Sequence, residues 1–201
     1  MYVIGLTGGI ASGKSTASRR LREMGAALVD TDIIAHELAQ PGEALWQLYT
    51  EHFGVQVLHA DRTLDRAAIA RQIFTSSRER AWMDRVAHPL ILAECQQQLT
   101  AFRDQGCPSA VLDAPLLLEV GWDAFVDEVW LVAAVPKIQL RRLMERDSLS
   151  RAEAVKRMAA QLSLAEKSQR ADLILDNNGT MEQLLAQVDQ AWHRVMEQQG
   201  G

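Results

Sequence analysis

Gly8-Gly9-Ile10-Ala11-Ser12-Gly13-Lys14-Ser15 spaces two glycines, a lysine and a hydroxyl as a phosphate-binding loop requires them, with Thr16 next in line. Glycines let the backbone turn so that successive N–H groups point inward at phosphate oxygens. A helix beginning at Lys14 adds its positive end. Lys14 offers a mobile charge to the β- and γ-phosphates of a nucleotide. The Ser15 hydroxyl suits Mg²⁺, which keeps most of its waters and takes few protein ligands. No Gly-x-Gly-x-x-Gly is present, so a dinucleotide-binding loop is excluded.

Two carboxylate positions complete a possible phosphoryl-transfer site. Val29-Asp30-Thr31-Asp32 puts carboxylates just past an apolar run, where Asp32 can approach a hydroxyl being phosphorylated. Asp32 either orients that hydroxyl, or caps a helix beginning at Ile33, or does both. Asp113 ends a second apolar run, Ala110 to Asp113, and there either holds Mg²⁺ through water or is a plain turn carboxylate. Asp30 is a further candidate for the metal shell.

The elements that must position these groups follow from periodicity. Tyr2 to Thr7 reads as a buried strand and Lys14 to Met24 as an amphipathic helix, with Gly25 placed to end it. Ala26 to Val29 is a second strand. The stretch from Asp32 to Ala110 is far longer than a crossover needs. Within it Leu64 to Phe74, Glu79 to Ala87 and Leu90 to Phe102 show helical spacing, and Ser76 with Glu79 forms a capping-box start. An inserted helical domain over 33–103 is expected, with a core made of 1–32 and 104–201.

After Asp113 strands and helices alternate again. Glu128 to Val135 is a strand, and Pro136 opens a helix that runs to about Arg146. Ser150 with Glu153, and Ser163 with Glu166, mark two more helix starts. Ala171 to Leu175 is the last strand, Asn177-Asn178-Gly179 a turn, and Thr180 the cap of a final helix. Its Leu184, Leu185, Val188, Ala191, Trp192 and Val195 form a core-facing stripe. This alternation implies an α/β fold with a mostly parallel sheet covered on both faces, and ligands at the carboxyl ends of its strands.

Composition narrows the classes. The 201 residues are 48 % hydrophobic with a formal net charge of -5, enough for a full core and unlike a nucleic-acid or membrane-surface binder. Cys95 and Cys107 lack zinc-type spacing, and the five histidines form no ligand pair. The N-terminal run reads as a strand rather than a signal peptide, and no apolar run is long enough to span a bilayer. A cytoplasmic protein is expected.

Among phosphate-loop proteins, a regulatory GTPase is disfavoured. The guanine-reading Asn-Lys-x-Asp is absent, and Asp-x-x-Gly occurs only at Asp176 to Gly179, after the last strand. The loop alone does not distinguish kinases of different small molecules, such as nucleosides or shikimate. The combination Thr7-Gly8-Gly9-Ile10, Asp30-x-Asp32, His88-Pro89 and Asp113-Ala114-Pro115-Leu116-Leu117 resembles the dephospho-CoA kinase family from Met1 to about Trp192. Family members often carry Ala at the position of Thr31.

The resemblance implies a P-loop core, a helical substrate domain and a lid over about 142–169. It implies ATP and Mg²⁺, with dephospho-CoA phosphorylated on its ribose 3′-hydroxyl as the last step of coenzyme A synthesis. Asp32 then becomes the general base, and Pro115, Leu116 and Leu117 join it and His88 as substrate contacts. His88 contacts substrate or caps the helix after Pro89. Arg142 and Arg146, one turn apart, resemble lid arginines, one stacking on adenine and the other reaching the transferred phosphate. Asn177 and Gly179 belong to an adenine-edge loop or to a plain turn.

Overall fold

Gly25 ends the first helix through a paired reversal of the backbone. Its φ is +88°, its N–H donates to the Arg22 carbonyl at 3.0 Å, and the Ala26 N–H donates to that of Leu21 at 3.0 Å. That pairing, a Schellman motif, satisfies carbonyls the helix end would otherwise expose. The helix, α1 (Lys14–Glu23), lies between strands β1 (Tyr2–Gly8) and β2 (Ala27–Asp30) in a computed structural model that describes residues 1–199. Gly200 and Gly201, within the expected core segment, lie outside the described residues.

Four further helices follow: α2 (Thr31–Glu37), α3 (Ala44–Phe53), α4 (Arg66–Thr75) and α5 (Ser77–Asp104). Strands β3 (Ser109–Asp113), β4 (Glu128–Ala133) and β5 (Leu173–Asp176) then alternate with α6 (Pro136–Asp147), α7 (Arg151–Met158), α8 (Leu164–Arg170) and α9 (Met181–Gln199). The chain divides into two units, Met1–Val29 with Leu99–Gly201, and Asp30–Gln98.

In the first unit the strand order is β2-β3-β1-β4-β5, and β1 pairs in parallel with both β3 and β4, as β4 does with β5. Parallel strands buried on both faces read as continuous apolar runs, and β3 and β4 are buried at every position. Ile4, Leu6, Val111, Trp130, Val132 and Leu175 of the sheet pack with Ala17 and Leu21 of α1 and with the α9 stripe. In that stripe Leu184, Val188, Ala191, Trp192 and Val195 are buried, as their spacing predicts. The result is an α/β fold whose parallel sheet has the loop after β1 at its carboxyl edge.

The second unit has its own smaller core of Phe53, Val57, Leu64, Ala68, Ile69 and Ile73. Here one expectation fails. Glu79 to Ala87 and Leu90 to Phe102 are one helix of 28 residues, not two, with Pro89 inside it. Proline removes one backbone donor and crowds the carbonyl four residues back. Ala87, Ile91, Cys95 and Leu99 are buried at successive intervals of four, so the packed face runs unbroken past the proline. Pro89 itself is exposed. Packing thus overrides the local break signal, and His88 is mid-helix rather than a cap.

Candidate active site

The loop after β1 has the geometry of an anion cradle. Ala11 and Gly13 both have positive φ, 57° and 102°, which alternates the direction of successive amides. A methyl group at Gly8 would lie 2.9 Å from the Val132 carbonyl, and one at Gly13 would collide with the Asn177 side chain. Glycine is therefore required at both positions. Ser12 Oγ is buried and has no hydrogen-bond partner. An orphaned hydroxyl within such a loop fits a phosphate oxygen as its partner.

Lys14, at the start of α1, is ion-paired with Asp113 at the end of β3. Their side chains are 15 % and 3 % exposed, so the pair is largely withdrawn from water. The strand register brings them together, because Leu6 of β1 is paired with Asp113 of β3. Ser15 is exposed on the first turn of α1. Beside them the Pro115 carbonyl accepts from Thr7 Oγ1 at 3.2 Å and from Lys167 Nζ at 3.2 Å. Of the three candidate substrate residues there, Leu116 is exposed and Pro115 half-buried. Leu117 is completely buried, and its Cδ2 lies 2.7 Å from where a methyl on Gly5 would stand. Leu117 is therefore a core residue under β1, a correction to its expected role as a ligand contact.

Asn177 is more than a turn residue. It is buried, and its Nδ2 donates to the Ser12 carbonyl at 2.6 Å, which ties the loop after β5 to the phosphate loop. Arg142 donates one Nη to the Asn177 carbonyl at 3.2 Å, while its other Nη is buried without a partner. Gly13, Thr16, Arg142, Asn177, Met181 and Leu184 line a cavity of about 220 Å³. Gly179 lies exposed at the tip of the same loop.

Arg146 is not gathered with Arg142. It donates to Asp147 at 2.7 and 3.2 Å, and Arg157 donates to the same carboxylate at 2.9 Å. The Arg146 hydrogen bond, then the charges of Arg146 and Arg157, hold the Asp147 carboxyl below its ordinary range. Both capping boxes are present, at Ser150 with Glu153 and at Ser163 with Glu166. Within the expected lid, α8 is firmly anchored. Lys167 is 1 % exposed and meets Glu119 at 2.8 Å, and Arg170 holds the Leu118 carbonyl and Asp123, at 2.7 and 2.8 Å.

In the second unit the helix after β2 begins at Thr31, not Ile33. Its cap is Asp30, whose carboxylate accepts from the N–H groups of Asp32 and Ile33 at 3.0 and 3.2 Å. Asp32 therefore stands on the first turn with an exposed side chain, and the capping role considered for it belongs to its neighbour. His88 lies 3.9 Å from Asp84, one turn back on α5.

The family model of dephospho-CoA kinase matches residues 2–183, which include every candidate named above. The chain belongs to the dephospho-CoA kinase family. It is 46 % identical over 201 residues to a dephospho-CoA kinase of Symbiobacterium thermophilum, covering all of this chain and 84 % of that one. With the Geobacter sulfurreducens enzyme of that name the identity is 43 %, across 96 % and 98 % of the two chains. The solved dephospho-CoA kinase from Campylobacter jejuni shares the fold, with a TM-score of 0.73 at 22 % identity over 97 % of each chain.

Several residues of this kinase that shape the site carry no sequence signal of their own. Gln139, Gln161, Glu119 and Lys167 meet the loop, or each other, only through the fold. The one available hint was Lys167, a lysine just after a capping box, and such a residue is ordinarily solvated. No helix among the described residues is long and apolar enough to cross a membrane.

Proposed function

We propose that this protein transfers the γ-phosphoryl group of ATP to the ribose 3′-hydroxyl of dephospho-CoA, giving coenzyme A. The family match across residues 2–183 carries this reading. The loop from Gly8 to Thr16 receives the phosphates. The partnerless buried Nη of Arg142 and the cavity between Gly13 and Leu184 suit a planar base bearing hydrogen-bond acceptors, as adenine does. Lys14, paired with Asp113 in this structure, turns to the transferring phosphoryl group and neutralises charge developing there.

Hydroxyl and carboxylate oxygens are the donors that Mg²⁺ takes, and Ser15 directly and Asp113 through water are the residues that would hold it. A metal held there would offset the negative charge of the phosphates. Asp32 directs the acceptor hydroxyl and accepts its proton. Residues 33–103 form the acceptor-binding domain, with His88, Pro115 and Leu116 as substrate contacts. With α8 anchored by Lys167, closure falls to α7 and its flanks.

A coupled ADP-release assay with dephospho-CoA, adenosine, pantetheine, shikimate and uridine tests the acceptor. Turnover is expected with dephospho-CoA alone; equal turnover with shikimate or uridine would overturn the assignment while sparing the phosphate loop. Arg146→Ala is expected to lower kcat more than it raises KM for ATP, because a charge used in the transition state affects kcat most. A large KM change at constant kcat would instead make Arg146 a ground-state contact.

A further inference from the structure

Both backbone polar groups of Ile10 are held by side chains from outside the phosphate loop. Its N–H donates to Gln161 Oε1 at 2.7 Å, and its carbonyl accepts from Gln139 Nε2 at 3.0 Å. Gln139 is buried on α6, and Gln161 lies in the link between α7 and α8. The two glutamines, Gly9, Ile10 and Met158 line one cavity behind the loop.

Gln161 also stands at a mechanical junction. The next residue, Leu162, donates its N–H to Glu119 Oε1 at 3.0 Å, and Glu119 is held by the buried Lys167. On one side of Gln161 the chain is therefore fixed. On the other side α7 has Ala154 as its buried residue and is mostly exposed.

We infer that Gln161 is a positioning residue that sets the α7 hinge in register with the phosphate loop. Ile10 is the third residue of the loop, and its N–H is turned to Gln161 while the Ser12 N–H closes the loop on the Gly9 carbonyl at 3.0 Å. A shift of the loop on nucleotide binding moves the Ile10 N–H. The hydrogen bond carries that shift to the chain between the exposed α7 and the anchored α8. Gln161 thereby couples phosphate binding to the placement of α7. The effect on turnover rests on the proposed phosphoryl transfer, whereas the hydrogen bond does not.

Gln161→Met keeps the length of the side chain and removes the acceptor oxygen. Amide exchange at Ile10 in the nucleotide-free protein, followed by NMR, is expected to speed up about tenfold, the scale of one lost hydrogen bond. The kcat for ADP release with dephospho-CoA is expected to fall about tenfold, as misplaced catalytic groups cause, with KM for ATP changed less than about threefold. Gln161→Glu retains an acceptor and is expected to restore protection of the Ile10 amide. Unchanged Ile10 exchange in Gln161→Met would overturn the inference, and so would lost protection with undiminished kcat. If the unaltered protein turns over none of the acceptors, the kinase reading fails, while the exchange comparison still decides the contact.

Discussion

Lys14→Ala is expected to lose about 10²–10³-fold or more in turnover, the scale for removing one preorganised charge partner of a transition state. It is also expected to be less stable, which a phosphate contact alone would not cause. Asp113 is almost entirely buried, and Lys14 is a cation ion-paired with it. Taking one member from a buried ion pair leaves the other charge poorly compensated, so a loss of about 3 kcal/mol is expected from urea unfolding without nucleotide. Adding Asp113→Asn should recover much of that stability and none of the activity. If Lys14→Ala turns over normally, the loop does not perform the chemistry. If its stability is unchanged, other groups carry the charge of Asp113.

Asp32→Asn is the second large effect. The substitution keeps size and one acceptor oxygen but removes charge and basicity, and kcat is expected to fall roughly 10²-fold or more. Stability should change by no more than about 1 kcal/mol, from weaker interaction with the start of α2. Asp30, not Asp32, caps that helix, so Asp30→Ala serves as the control, expected to cost about 1 kcal/mol in folding. A near-normal kcat in Asp32→Asn would remove it from the mechanism. Recovery of activity in excess Mg²⁺ would move Asp32 to the metal shell.

The legible parts of this chain were those set within a few residues of each other. The capping boxes at Ser150 and Ser163, the reversal at Gly25 and Pro136 at the head of α6 depend on neighbours no more than five positions away. The phosphate loop was legible for the same reason. Strand ends were less so. β5 starts at Leu173 rather than Ala171 because pairing with Trp130 of β4 decides it. Pro89 misled because a buried face outweighs one missing donor. The contacts of Asn177 with Ser12, Gln161 with Ile10 and Lys167 with Glu119 span 165, 151 and 48 residues, and nothing in the local chain announces them. Leu117, expected among the substrate contacts through the family resemblance, is buried, and an apolar residue after a strand looks the same in sequence whether it faces a site or the core.

The buried pair of Lys167 and Glu119 gives the segment after β4 an uneven response to heat. Hydration of ions carries a negative entropy, so the desolvation that opposes such a pair weakens as temperature rises. The anchor of α8 therefore persists on warming. Helix α7 has no such reserve, since Val155 is half exposed and the pair between Arg157 and Asp147 faces water. Local opening begins where few apolar contacts are buried. On warming, α7 is therefore expected to open before the sheet and α8, which amide exchange followed below the melting point of the core would show as protection lost first in α7.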